Sequence, residues 1–180
     1  MKTIRTASTS KLLLTAVCCV LAVACTKKVR EAPPTDSTGS VPGSTAPITD
    51  TGPIAPGAYG PNDLDSDACL LQRVVYFDLD QDALRPEFQS VVACHAKYLR
   101  DRPSSRMTLE GNADERGSRE YNVALGERRG NAVSSAVQAN GGSGGQINVT
   151  SYGEERPVCT ESGEDCWAKN RRVEIIYSAK

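Results

Sequence analysis

The sequence predicts an α+β domain, a mixed four-stranded sheet with helices on one face, carried behind a long N-terminal extension. Three observations predict it. Within residues 67–180, short runs rich in β-branched and aromatic residues alternate with two segments of helical period. The stretches joining the first three such runs are long enough for crossover helices, which favours parallel pairing and right-handed connections. The fourth run follows an irregular Gly/Pro/Cys segment instead.

The elements follow in order. Arg73-Val-Val-Tyr-Phe77 is the first strand, and Asp78 to Leu84 is an acidic loop. Pro86 suits the first turn of a helix running to about Arg100, with Glu87 favourable near its N-terminus. Phe88, Val91, Val92, His95, Tyr98 and Leu99 form its inner stripe. Arg106-Met-Thr-Leu-Glu110 is the second strand. Ser118 is placed to cap a second helix, with Tyr121 three residues on, that stops before Gly141-Gly-Ser-Gly-Gly145. Gln146 to Tyr152 is the third strand, a helical turn surrounds Trp167 to Asn170, and Arg172 to Tyr177 is the fourth strand.

The extension reads differently. Lys2, Arg5 and Lys11 precede a 13-residue uncharged run, Leu12 to Ala24, too short for a bilayer span of about 20 residues. A basic leader, a short apolar region and small residues describe a secretory signal over residues 1–24. Ala22-Val-Ala-Cys25 resembles a bacterial lipobox, although the customary Leu stands one residue early, at Leu21. That resemblance implies lipidation of Cys25 with three acyl chains, enough for stable anchoring where one chain is marginal. Thr26 in the next position, rather than Asp, resembles sorting to the outer membrane, facing the periplasm. Residues 25–66 are dominated by Pro, Gly, Ser and Thr and are expected to form a disordered tether with a typical reach of roughly 35 Å.

Seven cysteines are present. Cys18 and Cys19 leave with the signal and Cys25 carries lipid, so Cys69, Cys94, Cys159 and Cys166 remain. In an oxidising compartment an even number suggests two disulfides, with three connectivities open, of which Cys69–Cys94 and Cys159–Cys166 are favoured. No close Cys/His pairing supports a zinc site, His95 is expected to pack, and no cofactor is expected. Within the domain, 15 Lys/Arg face 17 Asp/Glu, and aromatics are few, which excludes nucleic-acid binding. There is no Gly-x-Ser-x-Gly, His-Glu-x-x-His or Walker motif. Asp78, Asp80, Asp82, Asp114 and Glu115 could serve a glycosidase, but acidic loops are usually just solvated, so an enzyme is not expected.

The most informative stretch is Glu110 to Val133. Asn122, Leu125, Arg129, Ala132, Val133 and Ala136 follow the 3.6 period, so two polar residues interrupt an inner face. Asp114 lies in the loop just upstream. An acid that accepts from an ammonium and an arginine that grips a carboxylate would clamp a ligand bearing both groups. Alternatively, Asp114 and Arg129 salt-bridge each other and simply pin loop to helix.

Five motifs carry a resemblance across nearly the whole domain: Val75-Tyr-Phe-Asp-Leu-Asp80, Leu109-Glu-Gly-Asn-Ala-Asp-Glu-Arg-Gly117, Glu120-Tyr-Asn-Val-Ala-Leu-Gly-Glu-Arg-Arg129, Tyr152-Gly-Glu-Glu-Arg-Pro157 and Asn170-Arg-Arg-Val-Glu174. In family order, they are similar to the peptidoglycan-associated lipoproteins of the OmpA-like C-terminal domain superfamily. The resemblance implies a β-α-β-α-β-β fold with sheet order 1-4-2-3 and an antiparallel fourth strand. It implies noncovalent binding of peptidoglycan through diaminopimelate of the stem peptide, by Asp114 and Arg129 with Phe77, Asp78, Asn122 and Leu125. It further implies a role in the Tol–Pal division system through TolB. Asn170 and Arg171 fall in an element read as partly structural. Asn112 stands where the family often has His. The rival readings are a wall-binding lipoprotein that does not engage TolB, and a peptidoglycan-cleaving enzyme.

Overall fold

Residues 56–179 are described by the computed structural model. The expected signal segment, Cys25 and most of the tether lie outside the described residues. No helix among the described residues is long and apolar enough to cross a membrane.

Strand β1 (Val74–Tyr76) is followed by a 3-10 turn at Pro86–Phe88 that runs into helix α1 (Gln89–Asp101). Strand β2 (Arg106–Asn112), helix α2 (Arg119–Ala139), strand β3 (Ile147–Gly153), the short helix α3 (Glu164–Asn170) and strand β4 (Arg172–Ala179) complete the order. The sheet order is β1-β4-β2-β3. β2 and β3 pair in parallel, while β4 lies antiparallel to both β1 and β2. The fold class and strand order expected from the sequence are therefore observed. β1 runs in the same direction as β2 but does not touch it, because β4 inserts between them.

Strand alternation puts Val75, Met107, Leu109, Val173 and Ile175 on one sheet face. There they meet Val92, Ala96 and Leu99 of α1 and Val133 and Val137 of α2 in a single core cluster. Both long helices thus cover the same face. The expected α1 stripe is buried at Val91, Val92, His95, Tyr98 and Leu99. His95 packs as expected, its ring nitrogens each 3.0 Å from a partner, the Tyr177 hydroxyl and the Gln72 carbonyl. Ser118 caps α2, its hydroxyl accepting from the Tyr121 N–H at 3.2 Å.

Along α2 the buried residues are Asn122, Leu125, Gly126, Arg129, Gly130, Val133, Ser134 and Val137, while Ala136 packs half-buried against the core and Ala132 is half-buried. The glycines belong to the buried face because they let the backbones approach. A Cβ on Gly126 would lie 2.8 Å from the Gly111 carbonyl and would strike the Ser151 hydroxyl. Helix and sheet backbones touch directly here, which seats the first half of α2 against the end of β2.

The ordered domain starts ahead of the expected boundary at residue 67. Residues 61–65 form a 3-10 turn, and Leu64 is completely buried with Leu70 and Tyr98 in a second cluster. The Tyr59 N–H donates to Asp101 at 2.8 Å and the Lys97 ammonium to the Gly57 carbonyl at 2.7 Å. Tyr59 and Leu64 are scarce apolar residues inside a Pro/Gly/Asp-rich stretch, and composition averages them away. Disulfides join Cys69 to Cys94 and Cys159 to Cys166, the favoured pairs.

Candidate functional site

Three backbone segments end at the same pole of the sheet. They are the loop leaving β1, the loop from β2 into α2, and the turn from α3 into β4. Between them and the first half of α2 lies a cavity of about 590 Å³. Leu79 and Asp80 come from the first loop, Ala113, Asp114, Arg116 and Gly117 from the second, and Arg171 from the turn. Tyr121, Asn122, Leu125 and Arg129 come from α2.

Asp114 is 4% exposed and is held from two sides. The Arg116 backbone N–H and Nε each reach Oδ1 at 3.1 Å, an Asx-turn closed by its own side chain. Arg116 Nη2 reaches Oδ2 at 2.7 Å and Arg171 Nη1 the same oxygen at 3.1 Å. Burial works against the carboxylate, but these hydrogen bonds outweigh it and hold its pKa below the ordinary range. Its two partners differ in access: the Arg116 side chain is 32% exposed and stacks on Trp167, whereas that of Arg171 is 6% exposed.

Arg129 is fully buried, over the ring of Phe77. Its Nε donates to the Gln81 carbonyl at 2.8 Å, Nη1 to Asn112 at 2.9 Å and Nη2 to Asp78 at 3.0 Å. A guanidinium has five N–H donors, so one on each terminal nitrogen is left for a ligand. Burial, then the like charge of Arg171, pushes its pKa down to about 10, which leaves it charged at neutral pH. Asp114 and Arg129 do not pair with each other.

The other expected residues separate into two groups. Asn122 and Leu125 line the cavity, and the Asn122 amide donates to Glu154 in the loop after β3. Phe77 and Asp78 do not line it. Phe77 is a core residue whose carbonyl accepts from Arg171 Nε at 3.1 Å. The Asp78 side chain points to solvent, 69% exposed, and only its carbonyl serves the site, by holding Arg129. Both residues border a neighbouring groove with Tyr76, Arg85 and Phe88. Asn170 is structural, its side chain bridging the backbone of Val158 and Cys159. Asn112 is absent from the lining, and its side chain donates to the Glu110 carbonyl.

Sequence reasoning missed Arg116, Tyr121, Leu79 and, as a lining residue, Asp80. Arg116 was findable, because an Asp followed two residues later by Arg can close an Asx-turn with a bidentate pair. Asp80 takes φ 56°, a left-handed conformation that Asp tolerates better than most residues, and accepts from the Tyr121 hydroxyl. That bond ties the β1 loop to α2 across the cavity mouth. Arg116, Arg129 and Arg171 bring three guanidinium groups to the cavity against the carboxylates of Asp114 and Asp80, with Glu164 pairing Arg116 and Arg171 from outside the lining, while Leu79, Ala113 and Leu125 supply apolar wall. Such a site suits a ligand with a carboxylate, a nearby amine and a short aliphatic body.

The sequence profile of the OmpA family matches residues 76–171. The peptidoglycan-associated lipoprotein of Pseudomonas putida is 51% identical over 100 residues, 56% of this chain and 60% of that protein. That of Pasteurella multocida is 38% identical over 121 residues, 67% of this chain and 78% of its own length. The crystal structure of the peptidoglycan-associated lipoprotein from Burkholderia pseudomallei superposes with a TM-score of 0.63 at 38% identity, covering 64% of this chain and 98% of that one. The C-terminal domain of Helicobacter pylori MotB shares the fold, with a TM-score of 0.55 at 22% identity over 59% of this chain and 84% of that one.

Proposed function

The chain belongs to the OmpA family, and from that premise we propose that it is an outer-membrane lipoprotein that binds peptidoglycan noncovalently through diaminopimelate. It is a binding protein and not an enzyme. The observation that carries the reading is the pairing, in one cavity, of buried Asp114 with a preorganised Arg129 that keeps two donors free. Diaminopimelate offers an amine and a carboxylate on one carbon at the end of an aliphatic chain. The carboxylate takes the two remaining N–H groups of Arg129, and the ammonium approaches Asp114. Arg116, the more exposed of that carboxylate's two partners, is the one that yields. Asn122 and Leu125 flank the aliphatic body.

Lipidated Cys25 holds the protein in the outer membrane with the domain in the periplasm, and the Pro/Gly/Ser/Thr segment provides reach to the wall. Similarity to peptidoglycan-associated lipoproteins extends the proposal to the Tol–Pal system in cell division, with TolB as partner. A pull-down of TolB from detergent extracts tests that part by itself.

Co-sedimentation with isolated sacculi tests the core of the proposal. A stem tetrapeptide carrying diaminopimelate is expected to release the protein. The same tetrapeptide carrying lysine, whose α-amine and α-carboxyl are tied up in peptide bonds and whose free end is an amine alone, is not. Equal release by both, or by neither, refutes recognition of that end group.

A further inference from the structure

The chain ahead of residue 56 joins the domain far from the cavity. Gly57 and Tyr59 are held at Lys97 and Asp101, the end of α1, which leads into the start of β2. The cavity lies beyond the other end of β2, where Ala113 and Asp114 follow it. Seven residues of strand separate these poles by about 23 Å. A pull between the N-terminal segment and a wall-bound cavity therefore runs through the length of the domain.

The first structure met from that end, after the buried turn at Leu64, is β1. It is an edge strand of three residues that pairs with β4 alone. The loop leaving it supplies the carbonyls that position the cavity's arginines: Phe77 for Arg171, and Asp78 and Gln81 for Arg129. Peeling β1 would withdraw those carbonyls and dismantle the site. The Cys69–Cys94 disulfide lies ahead of β1 on the chain and closes on the middle of α1. All of β1 and its exit loop fall within residues 70–93, inside the closed ring. Tension arriving at Cys69 passes through sulfur to Cys94, then along α1 and β2 to Asp114. It never travels along residues 70–93.

We propose that Cys69–Cys94 is a load-bypassing staple, which lets the domain bear tension between its N-terminal segment and the wall without unravelling the loop that builds its binding cavity. This rests on reading the protein as a membrane-to-wall tether. Leu64 and the residue 56–68 segment act as the part that gives first.

The test is force spectroscopy on the full chain, with one handle ahead of residue 56 and one replacing exposed Glu120 at the cavity pole. With the disulfide intact, early release stops at Cys69, at most about 45 Å of chain. In the Cys69→Ala, Cys94→Ala variant it continues through β1 and its exit loop, to about 100 Å. Moving the first handle to the C-terminus is expected to abolish the difference, because that load path never enters Cys69. Equal release lengths overturn the proposal. So does an equal weakening with either handle, which marks the bridge as a general stabiliser. A companion measurement holds the protein on sacculi. Loaded lifetime is expected to fall at least tenfold in the variant while unloaded sedimentation is unchanged. No loss of loaded lifetime refutes the staple's role at the wall. Failure of both proteins to sediment at zero load refutes wall binding instead, and the release lengths, which need no wall, still decide the staple.

Discussion

Arg129→Lys keeps a positive charge on the cavity floor and removes only the shape of the guanidinium. In the structure that shape is used in full. Three N–H groups of a planar fork reach the carbonyls of Gln81, Asn112 and Asp78, all between 2.8 and 3.0 Å. These carbonyls belong to two separate segments, the loop leaving β1 and the end of β2. A lysine ends in one nitrogen, sited near where the guanidinium branches, and makes one such bond well. Two hydrogen bonds to a charged donor are lost, each contributing about 1.5–3 kcal/mol, for a total of about 3–6 kcal/mol. A domain of this size has about 5–15 kcal/mol in all. Urea unfolding followed by far-UV circular dichroism at pH 7 measures the loss as a lower midpoint at unchanged slope. Sacculus co-sedimentation, under conditions where the variant is folded, is expected to fall as well. A midpoint shift below about 0.5 kcal/mol, the range of ordinary surface substitutions, would refute the claim that the three carbonyls hold the arginine.

Two further outcomes follow from the packing. Burial lowers the pKa of His95, the only histidine of the chain, so the unfolded state takes up its proton first as pH falls through about 6.5. Stability is expected to be highest above that pH and to decline below it by up to about 1.4 kcal/mol per unit, until the folded state protonates too; His95→Gln removes the slope between pH 7.5 and 5.5, and an unchanged slope in urea titrations contradicts this. Gly126→Ala gains about 1 kcal/mol of helix propensity but drives a Cβ into the Gly111 carbonyl and the Ser151 hydroxyl, so thermal and urea unfolding are expected to show a net loss of about 1–3 kcal/mol. A neutral or stabilised Ala variant would mean that α2 can lift from the sheet without cost.

Much of the fold was legible because its signals are local. Ser118 ahead of a polar first turn, Pro86 before a periodic segment, and the alternation of Met107, Leu109, Val173 and Ile175 each act over a few residues, and each element formed near its expected place. Strand order was not legible from spacing. Crossover length favours parallel strands, but only the inserted β4 separates β1 from β2, and the motif resemblance supplied that order. The place of Gly126 and Gly130 on the inner face of α2 was not legible, because a hydrophobic stripe is sought among residues with side chains, whereas these two pack by having none.

The site shows the same division more sharply. From residue types alone, Asp114 and Arg129 admitted two readings, a ligand clamp or an ion pair pinning loop to helix. The ion pair does not form: Asp114 bonds Arg116 and Arg171, and Arg129 bonds carbonyls. Yet pinning occurs, because those carbonyls fix the loop leaving β1 to the end of β2 through a single side chain. A buried arginine satisfied by backbone carbonyls leaves no trace in the sequence of its partners, since any residue carries a carbonyl. That explains why Phe77 and Asp78 serve the cavity without lining it, and why the Asn112 side chain can serve elsewhere. At Asn112, Arg129 bonds the backbone, and the side chain lies outside the cavity lining. Scaffold and clamp are the same guanidinium, so a substitution at Arg129 is expected to perturb stability and binding together, while the diaminopimelate-against-lysine competition leaves the scaffold intact and reports on the clamp alone.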